Sequence, residues 1–242
     1  MHRVGFAEYL TVQARNVVQV PDGVTPFQAA ACTDALVTPY HGVKTVAKLQ
    51  AHENVVVIGL GGVGMNALKI AKLFGNKIYA SDVKVGTFTT IQFLKLTSIP
   101  QPEVMEAAIA AGATAALPAA ELEALLRSPS APPIALVVDC VGAPATFSLA
   151  QRLAATGGRV LLLGLTSEKL EWEVKRNVDR ELNLLMSLWG TKAELGEVME
   201  LVREGKLSPD VEVRKMGELG KAIGEMKEGK IKGRVAFVPE TS

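Results

Sequence analysis

A β-branched run, a glycine-rich turn and a helical pattern follow one another from Asn54 to Phe74, where the sequence reads NVVVIGLGGVGMNALKIAKLF. The run over 54–58 is apolar on both faces, as in a strand buried inside a parallel sheet. After the glycines, apolar residues recur at the spacing of an amphipathic helix. This order predicts the first strand–helix unit of a doubly wound α/β fold.

The alternation of strand-like and helix-like segments continues to about residue 204. The sequence predicts further strands over 77–81, 113–117, 134–138, 159–163 and 182–188, with helices between them. Such alternation indicates a doubly wound parallel Rossmann sheet. The ends differ from this pattern, because residues 4–20 carry alternating, strand-like segments and residues 211–239 predict strand, helix and strand. We interpret the two ends as parts of a second, smaller unit that the central domain interrupts.

The loop after the first strand has the glycine spacing of a phosphate-binding turn. Gly59 permits a tight turn, Gly61 lets the backbone approach a diphosphate, and Gly64 permits close packing of helix on strand. The N-terminus of the following helix favours an anion. The loop therefore predicts dinucleotide binding, with Gly62 and Val63 also among the candidate cofactor contacts. The alternative is a glycine-rich turn without a ligand.

Asp82 follows the second predicted strand. A carboxylate at this position would accept hydrogen bonds from the ribose hydroxyls of adenosine and would repel the additional phosphate of NADP. We therefore predict NAD rather than NADP as the cofactor, with Lys84 near enough to reduce the preference. The alternative is an exposed turn aspartate.

Composition excludes several classes of protein. The 242 residues include 26 Lys and Arg against 25 Asp and Glu, so the basic excess that a nucleic-acid partner requires is missing. Two cysteines, Cys32 and Cys140, are too few for a disulfide scaffold or a four-cysteine zinc module. Neither a membrane-spanning run nor a signal peptide is visible in the sequence. We expect a cytoplasmic protein without a nucleic-acid or membrane partner.

Four stretches, at 5–23, 33–41, 59–64 and 229–235, together resemble the medium-chain, zinc-type alcohol dehydrogenases. The resemblance implies an enzyme that interconverts alcohols and aldehydes or ketones with NAD(P), with zinc polarising the substrate oxygen. It also implies a β-rich, GroES-like catalytic domain, of which the two ends would be remnants. We accordingly expect a catalytic-domain remnant over 1–34, the dinucleotide-binding Rossmann domain over 35–204, and a return to the catalytic domain over 205–242.

The resemblance also implies roles for individual residues. Asp34 matches a zinc ligand, and Thr38 matches a residue that touches the nicotinamide, which makes Thr38 the candidate catalytic residue. Val63 matches the side chain behind the nicotinamide ring, and Arg234 matches a residue that contacts the diphosphate. The implied substrate is a small alcohol or carbonyl compound, and the implied cofactors are NAD and zinc.

The sequence departs from the family at the zinc site. The family's cysteine and histidine ligands precede the region of resemblance and have no counterpart here, and Asp34 alone cannot hold a catalytic zinc. We interpret Cys32 as a buried hydrophobe, although it would alternate with Asp34 in an extended chain, His41 as a packing residue, and Cys140 as structural. We expect a truncated chain with weakened dinucleotide binding and little or no zinc-dependent turnover.

Residues 85–101 form an atypical insertion in the predicted nucleotide-binding domain. The segment is rich in threonine and large apolar residues and contains no acid, which is unusual for a long loop in a compact domain. Two explanations stay open: a translated intron, or a genuine insertion that packs near the adenine end of the cofactor. The transcript sequence would distinguish them.

Two other functions stay open. A zinc-independent quinone or enoyl reductase of the same superfamily would usually prefer NADPH, so Asp82 and the acid at position 34 disfavour it. A non-catalytic module for NAD binding and dimerisation is the second possibility. Its edge strand around 184–188 could pair with a second chain, giving a homodimer or homotetramer.

Overall fold

The structure is a computed structural model, which describes residues 5–74, 77–82, 102–231 and 233–239. The first elements are helical. A 3-10 turn at Ala14–Asn16 precedes α1 (Pro26–Ala31) and α2 (Val37–Tyr40), and π-helical stretches at Cys32–Leu36 and His41–Val46 join and extend the two helices. We call residues 26–46 the helical connector. Among the described residues, no helix is long and apolar enough to cross a membrane.

The central sheet and its helices follow the connector. The strands are β1 (Asn54–Ile58), β2 (Ile78–Ser81), β3 (Ala115–Ala116), β4 (Ile134–Asp139), β5 (Arg159–Leu162) and β6 (Asn183–Met186). The helices are α3 (Gly64–Lys72), α4 (Pro102–Ala110), α5 (Ala119–Leu126), α6 (Pro144–Leu153), α7 (Val174–Val178) and α8 (Lys192–Arg203). All strand pairs are parallel, in the order β3-β2-β1-β4-β5-β6. The doubly wound parallel sheet predicted from the sequence is confirmed.

Strand β1 is buried on both of its faces. Val55 and Val57 belong to a core formed with the helical connector and α3, while Val56 and Ile58 belong to a second core formed with α5 and α6. Helices therefore cover both sides of the sheet, which explains why β1 is apolar without alternation.

The strand order reverses beside β1, and the strand ends align there. Ile58 is level with Ser81 of β2 and with Asp139 of β4, and Asp139 is level with Leu162 of β5. The loops that leave these strands consequently meet at one edge of the sheet. In open α/β sheets, ligands bind in the crevice at such a topological switch point.

The C-terminal region contains the strand, helix and strand predicted for residues 211–239. Parallel strands β7 (Val211–Lys215) and β8 (Arg234–Val238) form a separate two-stranded sheet, and α9 (Leu219–Lys227) connects them. Helix α1 packs against both strands. Arg234 stands at the first position of β8.

The strand-like expectation for residues 4–20 is wrong for the described part. Residues 5–20 contain the 3-10 turn and no strand. Tyr9 is 90% exposed and Leu10 is 52% exposed, and a strand without a hydrogen-bonding partner is not stable on its own. Phe6 nevertheless packs edge-to-face on Phe237 of β8, with ring centroids 5.5 Å apart. The insertion at 85–101 lies outside the described residues.

Candidate functional site

The glycine loop, residues 59–64, connects β1 to α3. Its two ends are closely packed, and its middle, at Gly61, is not. Gly59 has φ of +86°, and a Cβ at Gly64 would overlap the carbonyl oxygen of Gly59. These two glycines therefore bring the start of α3 against the end of β1. An ideal Cβ at Gly61 would have no atom of the described residues within 4 Å, so nothing in the described part of the chain covers the middle of the loop.

Asp82 stands directly after β2, beside the glycine loop. Its Oδ1 accepts a hydrogen bond from the Leu60 N–H at 3.1 Å, and the side chain is half-buried. The carboxylate is therefore tied to the loop, unlike the exposed turn aspartate of the alternative interpretation.

Asp139 organises the loop after β4, a role that was not predicted from the sequence. The fully buried carboxylate accepts hydrogen bonds from the N–H groups of Val141 and Gly142, both at 2.9 Å, and from the Thr146 hydroxyl at 3.1 Å. Burial raises the pKa of the Asp139 carboxyl, and these hydrogen bonds oppose the rise. The signal that sequence alone offered was an acid at the end of a buried strand with a glycine three residues later.

The loops after β4 and β5 approach each other closely. A Cβ at Gly142 would overlap the Gly164 backbone, and a Cβ at Gly164 would overlap the Val141 backbone. Cys140, the first residue after β4, has its thiol pKa raised by burial and by the charge of Asp139. This environment agrees with a structural role for Cys140, because a reactive cysteine needs a lowered pKa.

Asp34, Thr38, Arg234 and Gly62 come together above the glycine loop. The Thr38 hydroxyl donates to Asp34 Oδ1 at 3.1 Å, and Arg234 Nη2 lies 3.7 Å from Asp34 Oδ2. A Cβ at Gly62 would overlap Arg234 Nη1, so the guanidinium lies directly against the loop. We call Asp34, Thr38 and Arg234 the carboxylate cluster. Val63, the last residue before α3, packs partly into the core.

The other residues considered as zinc ligands do not join Asp34. The helical connector buries Cys32 completely, and burial raises the pKa of its thiol to about 11. Because the chain is helical here, Cys32 does not alternate with Asp34 as it would in an extended segment. His41 Nδ1 lies 2.9 Å from Glu194 of α8. In the part of the chain that the structure describes, no group of three His, Cys, Asp or Glu side chains could hold a metal ion.

Hydrogen bonds to Glu194 of α8 link the helical connector to that helix. Besides its contact with His41, the Glu194 carboxylate accepts hydrogen bonds from the Thr45 hydroxyl at 2.5 Å and from the N–H and hydroxyl of Thr191, both at 2.8 Å. Burial alone would raise the pKa of Glu194, but these hydrogen bonds lower it to about 2. Thr191 and Glu194 form a capping box, whose spacing was available in the sequence.

Comparisons with known proteins agree with this architecture. A family model described as zinc-binding dehydrogenase matches residues 112–236. The solved structure of acetophenone reductase from Geotrichum candidum in complex with NAD is 32% identical, with a TM-score of 0.77, and the match covers 93% of this chain and 59% of that one.

Two solved alcohol dehydrogenase structures share the fold at lower identity. An alcohol dehydrogenase from Aeropyrum pernix is 24% identical with a TM-score of 0.81, and the match covers 97% of this chain and 65% of that one. A thermostable alcohol dehydrogenase from Pyrobaculum aerophilum with bound cobalt and zinc is 24% identical with a TM-score of 0.79, with 97% and 64% covered. The chain thus spans between 59% and 65% of the length of these three structures.

Proposed function

Because the chain belongs to the zinc-binding dehydrogenase family, we propose that it binds NAD(H) for the interconversion of alcohols with aldehydes or ketones, in which a hydride passes between the alcohol carbon and the nicotinamide. The bound nicotinamide supplies the hydride chemistry. The residues that would hold the cofactor are the glycine loop, Asp82 and Arg234. The matched reductase from Geotrichum candidum, which was solved with NAD, supports this choice of cofactor.

The open position of Gly61 between two closely packed glycines carries the proposal. Gly59 and Gly64 fix the loop against α3, whereas the backbone at Gly61 is free for a ligand to approach. A diphosphate there would meet the first N–H groups of α3, which have no partner within a helix and attract anions. Arg234 adds a positive charge on the same side of the loop.

Titration calorimetry with NADH tests this arrangement. Gly61→Leu adds a side chain to the open part of the loop, so we expect NADH affinity to fall by at least about tenfold while the fold is retained. Gly220→Leu is the matched control, because Gly220 is exposed on α9 and a Cβ there would also meet no atom within 4 Å. Equal NADH affinity of wild type and Gly61→Leu would contradict the proposal.

Asp82 supports a preference for NAD over NADP. Its charge beside the adenosine end of the loop would repel the additional phosphate of NADP. Asp82→Asn keeps an oxygen acceptor for Leu60 and removes the charge, so the ratio of NADPH to NADH affinity should rise by roughly tenfold. Wild type that binds NADPH more tightly than NADH would favour a zinc-independent reductase of the same superfamily.

The described residues do not fit a catalytic zinc ion. Such an ion needs three protein ligands and an open position, and the described segments bring no such set together around Asp34. We therefore propose that these 242 residues, on their own, oxidise alcohols very slowly. Metal analysis together with an alcohol-oxidation assay tests this: one tightly held zinc per chain, accompanied by turnover, would overturn it.

A second candidate function is a non-catalytic NAD-binding module that forms a homodimer. Edge strand β6 and the residues after it expose Met186, Leu188 and Trp189, each between 63% and 67%. Exposed apolar edges promote pairing with another chain. Light scattering after size exclusion should show a dimer that Met186→Lys weakens and Met226→Lys, an equally exposed methionine on α9, does not. A monomer with and without NADH would contradict this function.

A further inference from the structure

We propose that Asp34 is a positioning residue for the cofactor's diphosphate: it holds Arg234 against the glycine loop instead of binding a metal. The proposal rests on the NAD(H) site proposed above. It gives a role to Asp34, whose described neighbours do not provide the ligands that a zinc ion needs.

The guanidinium of Arg234 has two ends that point to different neighbours. Nη2 faces Asp34 Oδ2 at 3.7 Å, while Nη1 lies against Gly62 and 3.4 Å from the Gly233 carbonyl oxygen. An arginine fork can contact two groups at once. The same side chain can therefore keep its contact with Asp34 while Nη1 faces a phosphate on the loop.

Asp34 is itself held in place. Thr38, which is 7% exposed, donates its hydroxyl to Asp34 Oδ1. The helical connector that carries both residues is fastened to α8 through Glu194. The Asp34 carboxylate is consequently held in a defined position, although the side chain is 56% exposed.

Ordering Arg234 before the cofactor arrives should strengthen binding. A free arginine loses side-chain entropy when it grips a phosphate, and an existing contact removes part of that cost. The same guanidinium opposes a metal ion at Asp34, because two cations would then share one carboxylate. The remaining described His, Cys, Asp and Glu side chains supply no cluster that would outweigh this repulsion.

Calorimetric titrations of wild type, Asp34→Asn, Arg234→Met and the double variant test the proposal, with NADH, ADP and adenosine as the probes. Asp34→Asn should weaken NADH and ADP binding about threefold to fivefold, as expected for a partly exposed ion pair, and should leave adenosine binding unchanged. In the Arg234→Met background the same substitution should cause no further loss. Asp22→Asn, at an exposed aspartate, is the control for the change in net charge.

Several results would overturn the proposal. If Asp34→Asn binds NADH as tightly as wild type, Asp34 does not position Arg234. If the variant binds NADH more tightly, the Asp34 carboxylate repels the diphosphate. An equal loss in the Arg234→Met background would show that Asp34 acts without Arg234. Tight 1:1 binding of added zinc that Asp34→Asn abolishes would restore the metal role. If wild type binds no NADH, both the proposed NAD(H)-dependent function and the positioning role of Asp34 are overturned.

Discussion

The glycine loop and the carboxylate cluster lie side by side, yet they are built differently. The loop consists of backbone contacts so close that a single methyl group at Gly64 would overlap Gly59. Asp34, in contrast, is a mostly exposed side chain held by one hydroxyl and one guanidinium. The difference teaches that backbone packing within one loop forms much of the proposed diphosphate site, whereas a zinc site needs several side chains to converge.

The largest effect should come from adding one methyl group to the closed part of the loop. Gly64→Ala forces a Cβ onto the Gly59 carbonyl oxygen, and overpacking of this kind should cost about 3 kcal/mol in the free energy of unfolding. Urea denaturation measures the loss. Gly196→Ala, in α8 with no atom within 4 Å of the added Cβ, should instead gain about 0.5–1 kcal/mol. Equal urea midpoints for Gly64→Ala and wild type would contradict the close packing.

Substituting one aspartate beside each region extends the comparison. Asp139 organises the loop after β4, next to the glycine loop, and Asp34 belongs to the carboxylate cluster. Asp139→Ala removes the acceptor for the Val141 and Gly142 N–H groups and should cost about 2 kcal/mol of stability. Asp34→Ala should cost less, about 0.5–1 kcal/mol, because the Asp34 side chain and its contact with Arg234 are exposed and only the buried Thr38 hydroxyl loses an acceptor. Thermal or urea unfolding gives both values. Comparable losses for the two variants would show that the carboxylate cluster is a structural element of the fold.

A smaller and pH-dependent effect is expected where the helical connector meets α8. Glu194→Gln should cost about 1 kcal/mol at pH 7, since a neutral amide replaces a carboxylate that accepts several hydrogen bonds. The folded-state pKa of Glu194 is lowered from 4.5 to about 2, so its stabilisation is present above pH 4.5. As pH falls from 4.5 to 2 the carboxylate gains a proton and that stabilisation is lost. The difference in the free energy of unfolding between Glu194→Gln and wild type should therefore shrink between pH 4.5 and pH 2, as measured by urea denaturation at each pH. A difference that stays constant would show that the carboxylate charge is not its source.

Local patterns were sufficient to predict most of the central sheet and its helices. The β-branched run at Asn54–Ile58 and the glycine spacing after it define β1, its turn and α3, because burial and backbone geometry restrict these positions strongly. The strand, helix and strand at the C-terminus were likewise visible as periodic segments. The resemblance to the family assigned roles to Asp34, Thr38 and Arg234, but the contact between Asp34 and Arg234 was not predicted, since no local pattern joins residues 200 positions apart in the chain.

The remaining features depend on tertiary contacts. The expected strands before residue 20 did not form, because the described segments place no partner strand beside them. The burial of Cys32 and the hydrogen bond between His41 and Glu194 depend on the helical connector packing against the sheet and α8. The role of Asp139 depends on a buried turn in which its neighbours donate to it. Local spacing does not encode the burial of Cys32 or the contact of His41, whereas for Asp139 the sequence did offer an acid at the end of a strand and a glycine three residues later.

The central claim is that the described residues complete a cofactor site but not a zinc site. NADH titration of wild type before and after removal of metal with EDTA, with metal analysis of both samples, tests it most directly. We predict one NADH site per chain, with the same affinity in both samples and no bound zinc in either. NADH binding that disappears with EDTA and returns with added zinc would contradict the claim.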